Sequence, residues 1–290
     1  MKNILFLFVV FSIISCEKTF KSHTNSEKQV NVMCFLEADD TIRVNLSYTF
    51  DLNRTNLDDV FINNAQILLF ENDKLIGNIQ KANLKPQEGW YFSSYTPKEG
   101  NKYKLKIIVP LYDTIYSETD IPTSTKIEYL SNNISIYDSI AQAYLMNVFL
   151  CFTDPKNNDN YYYIFSNQPY FSNDPAIETR GEDGFYTNNE TYLYDFNVPI
   201  FSDSLFKDQN YTLNLSNIFS LYSDTIIFTY ELATISYDAY LFYKTVFLKT
   251  KTNNNPLVEP VIIYSNVTNG TGIFAGLSSN KDTIIFIKNQ

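Results

Sequence analysis

The sequence predicts an all-β protein: an N-terminal immunoglobulin-like β-sandwich, followed by a second, larger β-sandwich-like domain that carries one helix. Aromatic residues make up 16% of the chain, with 23 Tyr and 23 Phe, and such side chains suit the half-buried surface of a pleated sheet. Only one window, near residue 240, has the period of an amphipathic helix. A length of 290 residues with 44% hydrophobic content is sufficient for two domains with their own cores.

The first sandwich is predicted over residues 29–122 by short segments in which apolar and polar side chains alternate. The clearest segment is 41–50, where every second residue is apolar, as expected for a strand with one buried face. Residues 102–107 alternate in the same way after a turn at 97–100. Further runs bring the total to about seven strands at the spacing of a sandwich, namely 30–36, 60–70, 74–81, 89–95 and 114–121.

The boundary between the two domains is placed at residues 120–125, where a proline ends the last strand and small polar residues follow. The second domain then covers residues 123–290. One helix is predicted over 236–250, with Ser236 as N-cap and Asp238 in the first turn. Its wide apolar face should lie against a sheet. Strands are predicted at 142–153, 160–166, 192–198, 225–232, 258–265 and 283–288.

Two stretches of the second domain have an unusual composition. Residues 255–276 contain two prolines, three glycines and an Asn-Gly pair around an apolar run, which predicts a strand bracketed by tight turns. Residues 167–189 are rich in Asn, Asp, Glu and Gly, so we expect a long exposed loop of the kind that often binds partners.

The N-terminus carries an export signal. Lys2 is followed by an almost unbroken apolar run over residues 4–14, which is shorter than the roughly 20 residues that span a bilayer. The run ends in Ile13-Ile14-Ser15-Cys16, which resembles a bacterial lipobox. We therefore expect a signal peptide at residues 1–15, acylation of Cys16 and a flexible lipidated tether over 16–28. An ordinary signal peptide with a coincidental cysteine is the alternative.

Charge and composition exclude several kinds of activity. The formal net charge of −10 argues against nucleic acid, because phosphate binding requires clustered Lys and Arg. The single histidine, His23, lies in the tether. Catalytic triads and His-containing metal sites are therefore excluded, and we expect no enzyme activity, metal or cofactor. Acidic clusters such as 37–40 and 154–159 are expected to be solvated turns, although the second could present oxygens to Ca²⁺.

Cys34 and Cys151 remain after lipidation of Cys16. Each of them lies in an apolar segment with strand character, in a different predicted domain. We expect two buried free thiols, with a disulfide between the domains as the alternative.

Several short motifs are similar to those of a known family, and the C-terminal ones are the most specific. They are Ser15-Cys16; Asn64-Ala65-Gln66-Ile67; Gly89-Trp90-Tyr91; Glu99-Gly100-Asn101-Lys102-Tyr103; Asp154-Pro155 with Asn160-Tyr161-Tyr162; Ser236-Tyr237 with Tyr240; and Asn255-Pro256, Glu259-Pro260-Val261, Tyr264-Ser265-Asn266, Asn269-Gly270 and Gly272-Ile273-Phe274. Over its mature length the chain resembles the Bacteroidota lipoproteins of the domain-of-unknown-function 4249 family. The resemblance implies an outer-membrane lipoprotein, often encoded beside a TonB-dependent transporter, with an accessory role in uptake or surface assembly. Thr271 departs from the family, which more often has an apolar residue there.

These observations lead to one functional hypothesis and two alternatives. The chain is expected to be a non-catalytic partner of a TonB-dependent transporter, anchored through Cys16 to the outer membrane, on its periplasmic face or at the cell surface. The first alternative is a fimbrillin-like or adhesive subunit, assembled by strand addition at a sheet edge. The second is a hydrolase that acts on glycans through paired carboxylates. The candidate partner contacts are Asn266, Asn269, Gly270, Gly272, Glu178 and Arg180.

Overall fold

The computed structural model of the chain describes residues 28–50, 60–82, 88–138, 143–156, 158–167, 185–187, 200–220, 225–252 and 259–287. In these ranges the chain forms fifteen strands and one helix, so the prediction of an all-β fold with a single helix is confirmed. The elements are β1 (Val30–Glu37), β2 (Ile42–Tyr48), β3 (Gln66–Glu71), β4 (Lys74–Lys81), β5 (Trp90–Ser93), β6 (Lys102–Ile108), β7 (Ile115–Asp120), β8 (Ile127–Asp138), β9 (Ala143–Thr153), β10 (Tyr161–Asn167), β11 (Phe185–Thr187), β12 (Ile200–Ser202), β13 (Asn210–Ser220), β14 (Thr225–Ile235), α1 (Tyr237–Thr252) and β15 (Thr271–Ile287).

Strands β1 to β7 form the first sandwich. In β1, β6 and β7 every second side chain is buried, as a strand with one face in a core requires. Strands β1, β2 and β5 form one layer, and β4, β3, β6 and β7 form the other. Because β4 also pairs with β5 through Gln80 and Lys81, one hydrogen-bonded sheet continues from the first layer into the second. The core between the layers contains Val32, Cys34, Leu46, Ile67, Leu69, Tyr91, Leu105, Ile107 and Ile115.

The second sandwich packs two sheets against each other. Strands β12, β10, β14 and the C-terminal half of β15 belong to the large sheet, and β11, β13, β9 and β8 form a separate four-stranded sheet. Aromatic rings pack between the layers. The ring centroids of Phe152 in β9 and Tyr162 in β10 lie 5.1 Å apart. The shared core contains Met146, Val148, Leu150, Leu213 and Leu215 from the small sheet and Ile164, Phe228, Tyr230 and Leu232 from the large one.

Strand β15 joins the two sandwiches. Its residues 271–277 pair in parallel with β1, from Asn31 opposite Thr271 to Glu37 opposite Leu277. Its residues 277–287 pair antiparallel with β14 of the second sandwich. At about 3.3 Å per residue, this strand of 17 residues extends for about 55 Å. The division of the chain near residue 122 stays a prediction, but a strand from the C-terminal part also belongs to the first sandwich.

Helix α1 covers the outer face of the large sheet where the two sandwiches meet. The Ser236 hydroxyl accepts a hydrogen bond from the Ala239 amide at 3.3 Å, so Ser236 is the N-cap that the sequence predicts. Tyr243 stacks on Tyr163 of β10 at 5.0 Å and on Phe35 of β1 at 5.3 Å. One helix side chain therefore contacts strands of both sandwiches. Within the described ranges, no helix has the length and hydrophobicity needed to cross a membrane.

The C-terminal stretch differs from the sequence prediction. Residues 259–267 form no strand, so the predicted strand at 258–265 is wrong for the residues described there. The Tyr264 amide donates instead to the Thr245 Oγ1 of α1 at 2.9 Å, which replaces a bond to a neighbouring strand. The strand begins later, at Thr271, and includes glycines that the sequence suggests for turns.

Two long strands, β8 and β13, are absent from the sequence prediction. Both are rich in Ser and Asn, which favour turns and therefore conceal a strand pattern. The predicted strand at 192–198 lies outside the described residues.

Gly272 provides a test of the contact between β15 and β1. Its backbone φ is +109°, and a Cβ atom there would lie 2.0 Å from the Val32 carbonyl oxygen. We expect Gly272→Ala to lower the free energy of unfolding by about 2 kcal/mol or more, measured by urea denaturation. Gly77→Ala in β4 is the matched control, because no atom lies within 4 Å of its Cβ position. The control should change stability by less than about 0.5 kcal/mol, and equal stability of the two variants would contradict the close approach.

Candidate functional site

Residues 266–269 lie along the outer edge of β7 and form hydrogen bonds with backbone groups of that edge. An unpaired strand edge presents free amide and carbonyl groups on which another strand can pair. Here alternate carbonyl oxygens accept hydrogen bonds: Thr114 O from Asn269 Nδ2 at 2.9 Å, Tyr116 O from the Thr268 amide at 2.8 Å and Glu118 O from Asn266 Nδ2 at 3.2 Å. We call residues 266–269 the edge cap.

Asn266 also connects the edge cap to β15. Its Oδ1 accepts a hydrogen bond from the Phe274 amide at 3.0 Å, and its Nδ2 donates to the Phe274 carbonyl oxygen at 2.7 Å. This pair of bonds reproduces the exchange that two neighbouring strands make through their backbones. One side chain therefore ties β7 to β15.

The structure brings four of the six predicted contact residues together, in and just after the edge cap. Asn266 and Asn269 use their amides inside the chain, and a Cβ at Gly270 would lie 2.7 Å from the Val30 carbonyl oxygen. Together with Gly272, these residues have an internal structural role, and their role as partner contacts stays a prediction. The other predicted site residues lie outside the described part of the chain: Cys16, Glu178 and Arg180.

The start of α1 is joined to both sandwiches at Gly276 of β15. The Gly276 amide donates to Thr119 Oγ1 of β7 at 3.0 Å and to Ser236 Oγ at 3.3 Å. The Ser236 amide donates in return to the Gly276 carbonyl oxygen at 2.9 Å. A side chain at this position is excluded, because its Cβ would lie 2.1 Å from the Asp120 carbonyl oxygen.

A polar groove of about 610 Å³ opens beside this junction. The turn between β3 and β4, strands β6 and β7 and the first turn of α1 all contribute to it. Sequence reasoning misses this groove, because no local motif unites residues from four elements. The lining residues are Asn72, Asp73, Lys102, Tyr103, Lys104, Glu118, Thr119, Asp120 and Asp238.

Ion pairs already occupy part of the groove. Lys104 Nζ lies 2.9 Å from Glu118 and 3.3 Å from Asp73, and these carboxylates raise the pKa of Lys104. Asp238 accepts a hydrogen bond from the Tyr264 hydroxyl at 2.5 Å. Burial and the Asp238 carboxylate raise the pKa of Tyr264. The lining carries four carboxylates and two ammonium groups, so it would favour a small polar ligand with positive charge over an anion.

A buried polar network lies at one end of the second sandwich. Asp154 is fully buried and accepts hydrogen bonds from the Tyr162 hydroxyl at 2.5 Å, from Asn160 Nδ2 at 3.2 Å and from the Asp208 amide at 2.9 Å. Asp203 accepts a bond from the Asn160 amide at 2.8 Å. Burial raises the pKa of Asp203, and the Asp154 carboxylate adds to the shift.

This network corrects the expectation that residues 154–159 form a solvated acidic turn. Asp159 is exposed and pairs with Lys207 at 2.5 Å, but Asp154 has both oxygens engaged by donors inside the protein. In the part of the chain that is described, no group of three His, Cys, Asp or Glu side chains could hold a metal ion. The Asp154 carboxylate therefore acts as an internal acceptor.

Both described cysteines are free thiols. Cys34 is buried in the first core, and burial raises its pKa to about 12. Cys151 in β9 is only half-buried. The prediction of free thiols is confirmed, and complete burial holds for Cys34 alone. Because the thiolate is the reactive form, the Cys34 thiol should be inert near neutral pH.

The chain is thus an all-β protein in which two sandwiches share one strand and an internal segment caps a sheet edge. It belongs to the family described as "Domain of unknown function (DUF4249)", whose model matches residues 17–283. The matched region includes both sandwiches, the edge cap and α1. No curated protein matches the chain.

Among solved structures, the similarities are weak. A cytokine receptor complex aligns with 72% of this chain and 85% of its own at 7% identity and a TM-score of 0.26. The collagen adhesin CNA from S. aureus aligns with 91% of this chain and 97% of its own at 6% identity and a TM-score of 0.20. The BSP domain of a biofilm associated protein aligns with 88% and 58%, at 8% identity and a TM-score of 0.22. TM-scores this low do not establish a shared fold.

The structural role of the edge cap can be tested at Asn266. Asn266→Ala removes the donors to Glu118 and Phe274 and leaves their carbonyl groups without these bonds. We expect the free energy of unfolding to fall by about 2 kcal/mol, with faster hydrogen exchange in β7. Asn78→Ala, at an exposed position of β4, is the matched control and should change stability by less than about 0.5 kcal/mol. An unchanged exchange rate in β7 would contradict the capping role.

Proposed function

We propose that the chain is a lipoprotein of the Bacteroidota outer membrane that acts as a non-catalytic accessory partner of a TonB-dependent transporter. The observation that carries the proposal is the Ile13-Ile14-Ser15-Cys16 signal, directly followed by a chain that the family model matches from residue 17. Acylation at Cys16 would leave residues 17–28 as a tether between the membrane and β1.

The geometry of β15 supports a partner contact through the second sandwich. β1 begins at Val30, where the tether would enter, and Thr271 of β15 lies beside that start. From there β15 runs parallel to β1 and continues for ten residues beyond it, which corresponds to about 33 Å. A tether at one end of this strand would present the second sandwich away from the point of attachment, where a membrane-embedded partner with an extended domain could reach it.

The proposed lack of catalysis rests on the residues that the chain offers. Its one histidine belongs to the tether, and the buried Asp154 uses both oxygens to accept internal hydrogen bonds. A carboxylate that acts as an acid or base in glycan hydrolysis must instead face the substrate in a cleft. The acidic groove beside α1 is the place where such an activity would be sought.

Affinity purification from detergent-solubilised envelopes tests the proposal. We expect the tagged wild-type chain to recover a TonB-dependent transporter in nearly equal amount, identified by mass spectrometry. Cys16→Ala should recover much less, since loss of the acyl chains removes the membrane attachment. Recovery of the wild-type chain alone, although it is in the membrane fraction, would contradict the transporter role.

A second pair of variants tests the predicted contacts. Glu178→Ala combined with Arg180→Ala should lower the recovery of the transporter. Lys81→Ala combined with Glu88→Ala removes the same kinds of charge from exposed positions of the first sandwich and should leave recovery unchanged. Equal recovery with both double variants would count against residues 178 and 180 of the predicted loop as the contact.

A further inference from the structure

The turn between β6 and β7 lies at the end of the first sandwich where β1 begins. Tyr112 of this turn stacks on Tyr48 with ring centroids 5.3 Å apart, and Tyr48 lies opposite Val30, the first residue of β1. At the start of β7, the Thr114 carbonyl oxygen accepts a hydrogen bond from Asn269 of the edge cap at 2.9 Å. The turn is therefore fixed beside the point where the N-terminal segment enters the fold.

Leu111, at the tip of this turn, has an unfavourable backbone conformation. The Tyr112 amide donates to the Val109 carbonyl oxygen at 3.2 Å, which closes a four-residue turn over Pro110 and Leu111. The φ of Leu111 is +72°, and the third residue of a turn with this backbone is normally Gly or Asn, because a bulky side chain is strained there. Leu111 gains no burial that would offset this strain, since it is 103% exposed. Folding alone therefore does not account for a leucine at this position.

Further apolar side chains are exposed at the same end of the first sandwich. Ile108, the last residue of β6, is 37% exposed, and Phe50, which follows the end of β2, is 49% exposed. Residues 107–112 carry no charge. Single exposed apolar residues are common on protein surfaces. Here they accompany an uncharged turn whose strained tip is a leucine, which indicates a surface that contacts something apolar.

We propose that the turn between β6 and β7 rests on a lipid bilayer, with the Leu111 side chain inserted among the lipids beside the acylated N-terminus. The inference rests on the lipid anchor at Cys16, which is part of the proposed function, and it does not require the transporter. Removal of the Leu111 side chain from water favours the inserted state and offsets the strain in the turn.

The length of the tether selects a bilayer as the apolar surface. Residues 17–28 form a tether of twelve residues, and a flexible segment of this length has a root-mean-square span of about 20 Å. An acylated Cys16 therefore keeps the start of β1, and the turn beside it, close to the membrane. Strand β15 carries the second sandwich in the opposite direction. The end that exposes Leu111 is thus the end that faces the bilayer.

A second point of contact fixes an orientation that the tether alone leaves free. A flexible tether allows the folded chain to rotate about its attachment point. Insertion of Leu111 holds the end of the first sandwich against the lipid, so that β15 points away from the membrane. The contact therefore sets the direction in which the second sandwich is presented.

A fluorescent label tests the contact in pure lipid. The acylated full chain, with Cys151→Ser and Leu111→Cys, receives a polarity-sensitive dye and is inserted into vesicles of phosphatidylethanolamine and phosphatidylglycerol. We expect the emission to shift to shorter wavelength and to be quenched by lipids that carry a nitroxide group. Asp39→Cys is the matched control, because Asp39 is exposed, has a φ of +62° and lies just beyond the other end of β1. Its dye should keep the emission that it has in solution.

Hydrogen exchange tests the contact without a label. The amides of residues 109–113 should exchange more slowly in the vesicle-anchored chain than in the Cys16→Ala chain in solution. Leu111→Asn should abolish this difference, while the midpoint of urea unfolding stays at or above that of the wild type, because Asn tolerates a positive φ.

The outcomes separate this proposal from the transporter role. Equal emission and quenching at residues 111 and 39 of the vesicle-anchored chain overturn the bilayer contact. Slow exchange of the turn in cell envelopes but not in pure lipid vesicles also overturns it and indicates a protein partner. A chain whose residue 16 carries no acyl group in mass spectrometry overturns both the anchor and the contact. Failure to recover a transporter contradicts the partnership alone, because the vesicles contain no transporter.

Discussion

The backbone ladder along β15 is the interaction on which the rest of the structure depends. The first part of the strand lies in parallel register beside β1, and the second part lies antiparallel to β14. Parallel pairing at close range requires Gly272, whose Cα faces the Val32 backbone without a side chain between them. A single strand therefore belongs to two cores, and neither sandwich is complete without it.

Other features follow from the course of this strand. To place β15 beside β1, the chain must return from α1 past the free edge of β7, and residues 266–269 cap that edge on the way. The Gly276 amide then donates a hydrogen bond to Ser236 at the start of α1. Because Gly276 has no side chain, the backbone of β7 can approach it closely at Asp120. The helix covers the junction on its outer side, where Tyr243 contacts rings from both sandwiches. The junction is thus packed on several sides, as the proposed presentation of one sandwich at a distance from an N-terminal lipid anchor would require.

Local patterns in the sequence predict local parts of this structure well. The strict alternation of apolar and polar residues in β2 and the helix N-cap at Ser236 depend only on nearby residues. Both can therefore be predicted from the sequence. The apolar run at 258–265 misleads, because the Tyr264 amide finds its hydrogen-bond partner in Thr245 of α1, which lies 19 positions away in the chain. The Asp154 network is equally hidden, since Asp203 meets Asn160 across 43 positions of the chain. The predicted contact residues near position 270 make contacts inside the chain, and their role as partner contacts stays a prediction.

Equilibrium unfolding in urea, followed by one probe in each sandwich, tests most directly whether β15 makes the two sandwiches a single unit. Trp90, the one tryptophan of the chain, reports on the first sandwich through its fluorescence. A fluorescent label on the half-buried Cys151 reports on the second. We expect the two transitions to coincide, because release of β15 from one sandwich also removes a strand ladder from the other sandwich. Two transitions at clearly different urea concentrations would contradict the account and would show that the sandwiches unfold independently.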